Sequence, residues 1–448
     1  MSMAWAPVVL VLCLLAAPPA SHAQAPAPTG PPPATAPPPQ GTPVMDRVLG
    51  RALSLEEAVA IALETQPQIQ ARLYDYMAAA HRVDQAFSAL LPQLTGSWTA
   101  ARAQNVGVTS GSPTITGFAD NSRARVTLSQ VLFDFGKTFA STEAARRLAE
   151  FAQEDVELQR QLITLTVKES FININFARRL IRVQEQAVER ADLNLRSARG
   201  FFEVGTRPKS DVARAEVDVA NARVDLIRAR NAERLARVAL NTAMGIAADT
   251  PTEVQDNLVY QAMTIDRGQL LGQALAQRPE YKQARLRVSE AEARARRAVR
   301  DFFPDINGVG SYGGARSDFS EVWELRLELS WSIFDGGNRL ARFRETKVLI
   351  DAAQARVKAT ELDISREVEQ AQLNVSEAQE RIGAAQTAVA SAQENFRLAQ
   401  GRFDAGVGTI LELTDAQLFL TQAQNTEAQA LADYRIAVAR LERAIGRR

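Results

Sequence analysis

Two stretches without a proline constrain this chain more than any other feature. Lys137 to Glu203 and Asn338 to Asp404 each run 67 residues. As continuous α-helices each would span about 100 Å, at roughly 1.5 Å per residue. In the second, Val357, Ile364, Val368, Ala371, Val375, Ala378, Ile382 and so on to Phe403 recur at alternating steps of four and three, with one gap at Glu361. That spacing is a coiled-coil seam with a left-handed twist. The first repeats it at Val156, Ile163, Val167 and Ile174 and adds a second seam at Leu158, Leu162, Leu165 and Ile172. Two seams on one helix require a neighbour on each side, which makes a ring or wall of helices instead of a dimeric rod.

The two stretches belong to an internal repeat. Pro67 and Pro92 recur 212 residues on as Pro279 and Pro304, while Asp134, Gly200, Gly205 and Gly245 recur 201 residues on as Asp335, Gly401, Gly406 and Gly446. Repeat one covers 51–246 and repeat two 268–448, each reading helix, strand, strand, long helix, medium helix. The change of offset falls between Pro92 and Asp134, so the extra residues are expected to lengthen a hairpin loop at about 102–122. Ser54 and Glu57 are spaced as a capping box. From there a helix is expected over 55–90, and a second of equal length over 210–245, each about 54 Å long. Stacked end to end they match one long helix.

Hairpins are expected at about 93–134 and 305–334. The clearest strand is Trp323 to Trp331, where Trp323, Leu325, Leu327, Leu329 and Trp331 share one face and Glu324, Arg326, Glu328 and Ser330 the other. Nine residues at roughly 3.3 Å each span about 30 Å, the thickness of a bilayer core. Trp323 and Trp331 stand where an interfacial girdle would lie. Four strands cannot close a barrel, and an open apolar sheet would leave unpaired edges in lipid. Several chains must therefore share one barrel; two, three or four would all serve. The fold class is mainly α with a membrane β-barrel.

The ends agree with export. Val8 to Ala17 is apolar but too short to span a membrane, and Ser21-His22-Ala23 gives a cleavage site, so 1–23 reads as a signal peptide, although no basic residue precedes the apolar run. Cys13, the one cysteine, lies inside it. Leu12 stands before it where lipid attachment wants a small residue. Residues 24–50, with nine prolines between Ala25 and Pro43, read as an extended disordered tether. Charge is balanced at 52 basic against 52 acidic residues, which disfavours nucleic acid as a partner. One Cys and two His leave little for a metal cluster or cofactor. His81 has no partner at ligand spacing, and no catalytic constellation stands out, so an enzyme is not expected.

Leu53-Ser54-Leu55-Glu56-Glu57-Ala58-Val59 leading to Gln66-Pro67, the doubled Phe-Asp-x-Gly turns and Phe-x-x-Gly before each medium helix resemble TolC-like outer-membrane efflux proteins. The resemblance covers 51–446. It implies a homotrimer with a twelve-stranded barrel in the bacterial outer membrane and a coiled-coil α-barrel crossing the periplasm. It further implies a passive duct working with a periplasmic adaptor and an inner-membrane pump. The working end would be two helical tips, 201–212 and 402–413, turned by Gly205 and Gly406. Ser210, Asp211, Phe403, Gly408, Glu412 and Asp415 match the positions that hold the entrance shut and meet the adaptor. Phe403 lacks a tyrosine hydroxyl and Gly408 lacks an arginine found in the best-known pattern. Asp415 repeated about an axis would form an acidic ring. As plain surface charges, Asp211, Glu412 and Asp415 would also suit helix starts. The rival readings are the exit duct of a one-step protein-secretion system and a structural coiled-coil protein.

Overall fold

The computed structural model describes residues 48, 50–109, 112–256, 258–260, 267–315 and 320–447. The signal peptide over 1–23 and nearly all of the tether over 24–50 lie outside the described residues. From residue 51 the order is β1 (Ala52–Leu53), α1 (Leu55–Thr65), α2 (Pro67–Phe87), a 3-10 turn (Ser88–Leu90), β2 (Gln93–Thr109), β3 (Ser112–Phe133), α3 (Lys137–Glu203) and α4 (Lys209–Met244). The second half runs β4 (Glu253–Val254), α5 (Arg267–Gln277), α6 (Pro279–Arg300), β5 (Asp305–Ala315), β6 (Ser320–Ser330), α7 (Asn338–Asp404) and α8 (Ile410–Ala444).

The single helix expected over 55–90 is broken. Gln66 takes extended geometry (ψ 116°) and Pro67 starts α2, because proline disfavours helical geometry in the residue before it. Ser54 and Glu57 cap α1 reciprocally, at 3.2 and 2.9 Å. Arg278 and Pro279 repeat the break, with ψ 126° at Arg278.

Each break receives the end of a medium helix. Gly245 (φ +74°) ends α4 against Gln66, and a Cβ added there would lie 3.0 Å from the Gln66 Cα. The Gln66 amide donates to the carbonyls of Thr242 (3.3 Å) and Ala243 (3.0 Å), which are left open at the helix end. Gly446 (φ +82°), just past α8, meets Gln277 and Arg278 in the same way. Here the filling is ionic. Arg278, 2 % exposed, pairs with Glu280 (2.7 Å) and Glu367 (2.6 Å), and Arg443 closes the ring onto the same two carboxylates at 2.7 and 3.3 Å. Burial pushes the Glu280 carboxyl up, but the hydrogen bonds and charge of Arg278 outweigh it and hold the group below its ordinary range.

The wall of helices follows the seams. α3 packs against α2 and α4 and also against α6 and α8, and α7 packs against α6 and α8. Ile172, from the second seam of α3, joins Ile364, Val368 and Val375 of α7 and Ala430, Tyr434 and Leu441 of α8 in one buried cluster. Glu233, which interrupts the α4 seam, is buried between Arg237 (2.6 Å) and Arg178 (3.8 Å). The outer faces of the end helices stay bare: Val217, Val224, Ile227 and Leu235 on α4, and Val348, Leu362 and Leu373 on α7.

The four long strands form one antiparallel sheet in the order β2-β3-β5-β6. Register puts Leu94, Val126, Leu128, Tyr312, Trp323, Leu325 and Leu327 on one face and Thr95, Ser97, Arg125, Thr127, Ser311, Glu324 and Arg326 on the other. Leu325 is 76 % exposed and Trp323 71 %. Two expectations are corrected here. Residues 102–122 are not one long loop: Arg102 pairs with Asp120 and Thr109 with Ser112, so the extra length extends the ladder, where each added rung satisfies backbone groups that a loop would leave to water. Trp331 lies just past β6, since the last rung is Asp305 with Ser330 and Pro304 has no N–H to continue. Its indole instead donates to the Phe302 carbonyl at 3.1 Å. Asp134 then starts α3 by accepting from the Gly136 and Thr138 amides (2.9 and 2.7 Å), as Asp335 does for Gly337 and Arg339 (3.2 and 3.0 Å). Among the described residues no helix is long and apolar enough to cross a membrane.

Candidate functional site at the helical tips

The far ends of the long helices turn back on glycine. Gly205 (φ +79°) follows α3, with Gly205 N–H donating to Phe202 O and Thr206 N–H to Phe201 O, both at 2.9 Å. Gly406 (φ +76°) follows α7 with the matching bonds to Phe403 and Arg402, both at 3.0 Å. This double bond pattern closes the open carbonyls of a helix end and needs a residue free to adopt left-handed geometry. Thr409 starts α8 by accepting from the Glu412 amide at 3.2 Å. Only half of a capping box is made, because the Glu412 carboxylate turns toward Arg402 (3.6 Å).

Between the two turns lies a small core of Ala399, Phe403, Ile410, Leu413 and Ala416, flanked by Phe201 and Phe396. Phe403 is fully buried, its ring edge-on to Phe201 with centroids 5.6 Å apart. A phenylalanine offers no polar group to a neighbour from there; it holds the two tips together. Gly408 is explained by space: a Cβ would sit 2.9 Å from the Phe403 backbone nitrogen. These two positions therefore shape the tips from within.

The arginine missing at Gly408 stands in the other tip. Arg207, 201 residues earlier, reaches across to donate to the Gly408 carbonyl at 2.5 Å. Its guanidinium carbon lies 4.6 Å from the Phe403 ring centroid, and it pairs with Asp211 at 3.7 Å. One side chain thus meets a carbonyl, a carboxylate and an aromatic face. Asp218 accepts from Thr414 at 2.9 Å, a second tie between α4 and α8. The sequence reading missed Arg207; the repeat offset pairs it with Gly408 and could have flagged it.

The remaining residues are at the surface. Asp211 is half-buried under Arg207, whereas Ser210, Glu412 and Asp415 are exposed. Asp415 makes no ion pair with a described residue. Away from the tips, His81 is exposed on α2 with the Asp84 carboxylate 3.6 Å away, a partner the sequence reading did not give it. Among the described residues no group of His, Cys, Asp and Glu is arranged to hold a metal.

Comparison with known proteins extends this architecture. The chain is 25 % identical over 411 residues to the alkaline protease secretion protein AprF of Pseudomonas aeruginosa, covering 87 % of this chain and 84 % of that one. It is 23 % identical over 421 residues to the outer membrane protein TolC of Vibrio cholerae, covering 88 % and 91 %. Among solved structures it is similar to CusC, with a TM-score of 0.77 at 18 % identity over 88 % of this chain and 92 % of that one. It is also similar to the outer-membrane channel OprN, with a TM-score of 0.74 at 20 % identity over 88 % and 89 %. A family model described as outer membrane efflux protein matches residues 58–246 and 270–447, one segment for each repeat. The chain is a TolC-like member of the outer membrane efflux protein family, a channel protein of the outer membrane that extends into the periplasm.

Proposed function

We propose that the chain is the passive exit duct of a tripartite efflux system. Three copies share a twelve-stranded barrel, and their long helices form the periplasmic tunnel, joined there by an adaptor and an inner-membrane pump. The observation that carries this reading is the sheet: four strands, oily on one face and polar on the other, with β2 and β6 each unpaired along one edge. Such edges are tolerable in lipid only when another chain pairs with them. The bare outer faces of α4 and α7 give the helices the same requirement. Members of this family are channel proteins, and no enzymatic step is assigned to the chain.

At the entrance, Asp415 of each copy would form an acidic ring, with Ser210, Asp211 and Glu412 beside it. Asp415→Asn is expected to weaken block of single-channel conductance by divalent cations in a planar bilayer. Unchanged block would remove Asp415 from the entrance. The duct itself is tested by fractionation: the chain should extract from the outer membrane as an SDS-sensitive trimer, and deletion should raise the uptake of a fluorescent efflux dye. A monomer in the soluble periplasmic fraction would favour the structural coiled-coil reading.

The similarity to a protein named for alkaline protease secretion favours a second reading, the exit duct of a type I secretion system. Deletion that stops export of one protein and leaves dye uptake unchanged would select it.

A further inference from the structure

We infer that Arg123 and Arg125 form an anion-attracting ring inside the outer mouth of the pore, biasing exit toward solutes bearing carboxylate, phosphate or sulfonate groups. This rests on the shared-barrel reading above. Both residues lie on β3, which is flanked on both sides by strands of its own chain, so neither is at an edge that a neighbouring copy would cover. Register fixes their face. Arg125 opposes Ser97 and Gly313, and Arg123 opposes Thr99 and Ala315, on the polar side with Thr95, Thr127 and Ser311. Arg125 is eight residues from Phe133, about 26 Å along the strand at roughly 3.3 Å per residue and about 20 Å of height at a barrel strand's tilt of roughly 40°. Register puts Arg125 level with Val322, one residue past Trp323 on the side away from the helices, where the outer girdle would lie.

Their surroundings leave them charged and bare. Both are exposed, and neither makes an ion pair with a described residue. Gly313 opposite Arg125 has no room for a side chain, because a Cβ would run into the Ala124 carbonyl. Glu321, on an adjacent rung, has the parity of the apolar face. The other arginine of the polar face contrasts with the pair: Arg326 is held between Glu324 (3.3 Å) and Glu328 (3.5 Å), nearer the helices. Below, two carboxylates outnumber the one arginine, so this face is net negative there and positive only at Arg123 and Arg125 above. The bias is screened within about 10 Å at 0.1 M salt, so it acts close to the wall and fades as salt rises.

The test is ion selectivity of the purified full-length protein in a planar bilayer under a KCl gradient. Arg123→Ser with Arg125→Ser should lower the chloride-to-potassium permeability ratio about two-fold near 0.1 M salt, with little change near 1 M. Arg123→Lys with Arg125→Lys should retain the wild-type ratio. Thr127→Lys, which adds a charge on the same face, should raise it. An unchanged ratio in the serine pair would overturn the inference while the duct stands. Should the serine pair fail to insert, an unchanged ratio in Thr127→Lys decides against it in the same way. A wild-type protein that forms no channel would overturn the barrel reading and this inference with it.

Discussion

At one helix joint a neutral amide fills the gap; at the other an alternating ring of two arginines and two glutamates does. Gln66 and Arg278 stand at equivalent breaks, each before a proline and each facing the glycine that ends a medium helix. The backbone solution is the same, so it is fixed by proline and glycine and not by the side chain between them. What differs is how the joint responds to its surroundings. An amide on two carbonyls is indifferent to pH and salt. An ionic ring around the buried Arg278 depends on its balance, since removing one member leaves two like charges sharing a single countercharge.

The contrast gives four measurable expectations, each read by hydrogen exchange at the ends of α4 and α8 in the assembled protein. The largest is Arg278→Ala, which leaves Glu280 and Glu367 to share Arg443 alone and should loosen the end of α8 by about 3 kcal/mol while leaving the end of α4 alone. Gly446→Ala and Gly245→Ala come next, at about 2 kcal/mol each, because both demand left-handed geometry and both press a Cβ onto the facing chain. Their similarity would affirm that the backbone solution is shared; a loss at only one would break it.

Acidification should separate the joints. Glu280 is depressed in the folded state, so its contribution is complete above the ordinary carboxylate range and is lost as pH falls through the lower folded value. Protection at the end of α8 should therefore drop on acidification ahead of that at α4, and parallel loss would deny the ionic ring a role. The smallest effect is Gln66→Ala, about 1 kcal/mol and the same at pH 7 and pH 4.

Much of this architecture was legible because it is local. A run of 67 residues without proline, seams at steps of three and four, and glycines at a fixed offset are written along the chain. The long helices occupy Lys137–Glu203 and Asn338–Asp404, the residues the pattern selects. The extended ladder of β2 and β3 was harder, since Gly107 and Pro113 look like loop residues until the partner strand is known. At the tips, position was legible but role was not. Gly408 reads as a missing arginine until space shows why glycine is required, and the packing of Phe403 against Phe201 of the other tip cannot be read from the chain. Arg207 and Arg278 escaped for one reason: their partners lie far along the chain, Gly408 for the first and Glu367 for the second.

The bridge from Arg207 to Gly408 also bears on kinematics. Two hairpin ends that clasp each other swing as a single leaf, so a three-copy entrance would have three moving parts instead of six. A force applied to either hairpin would then be shared by both.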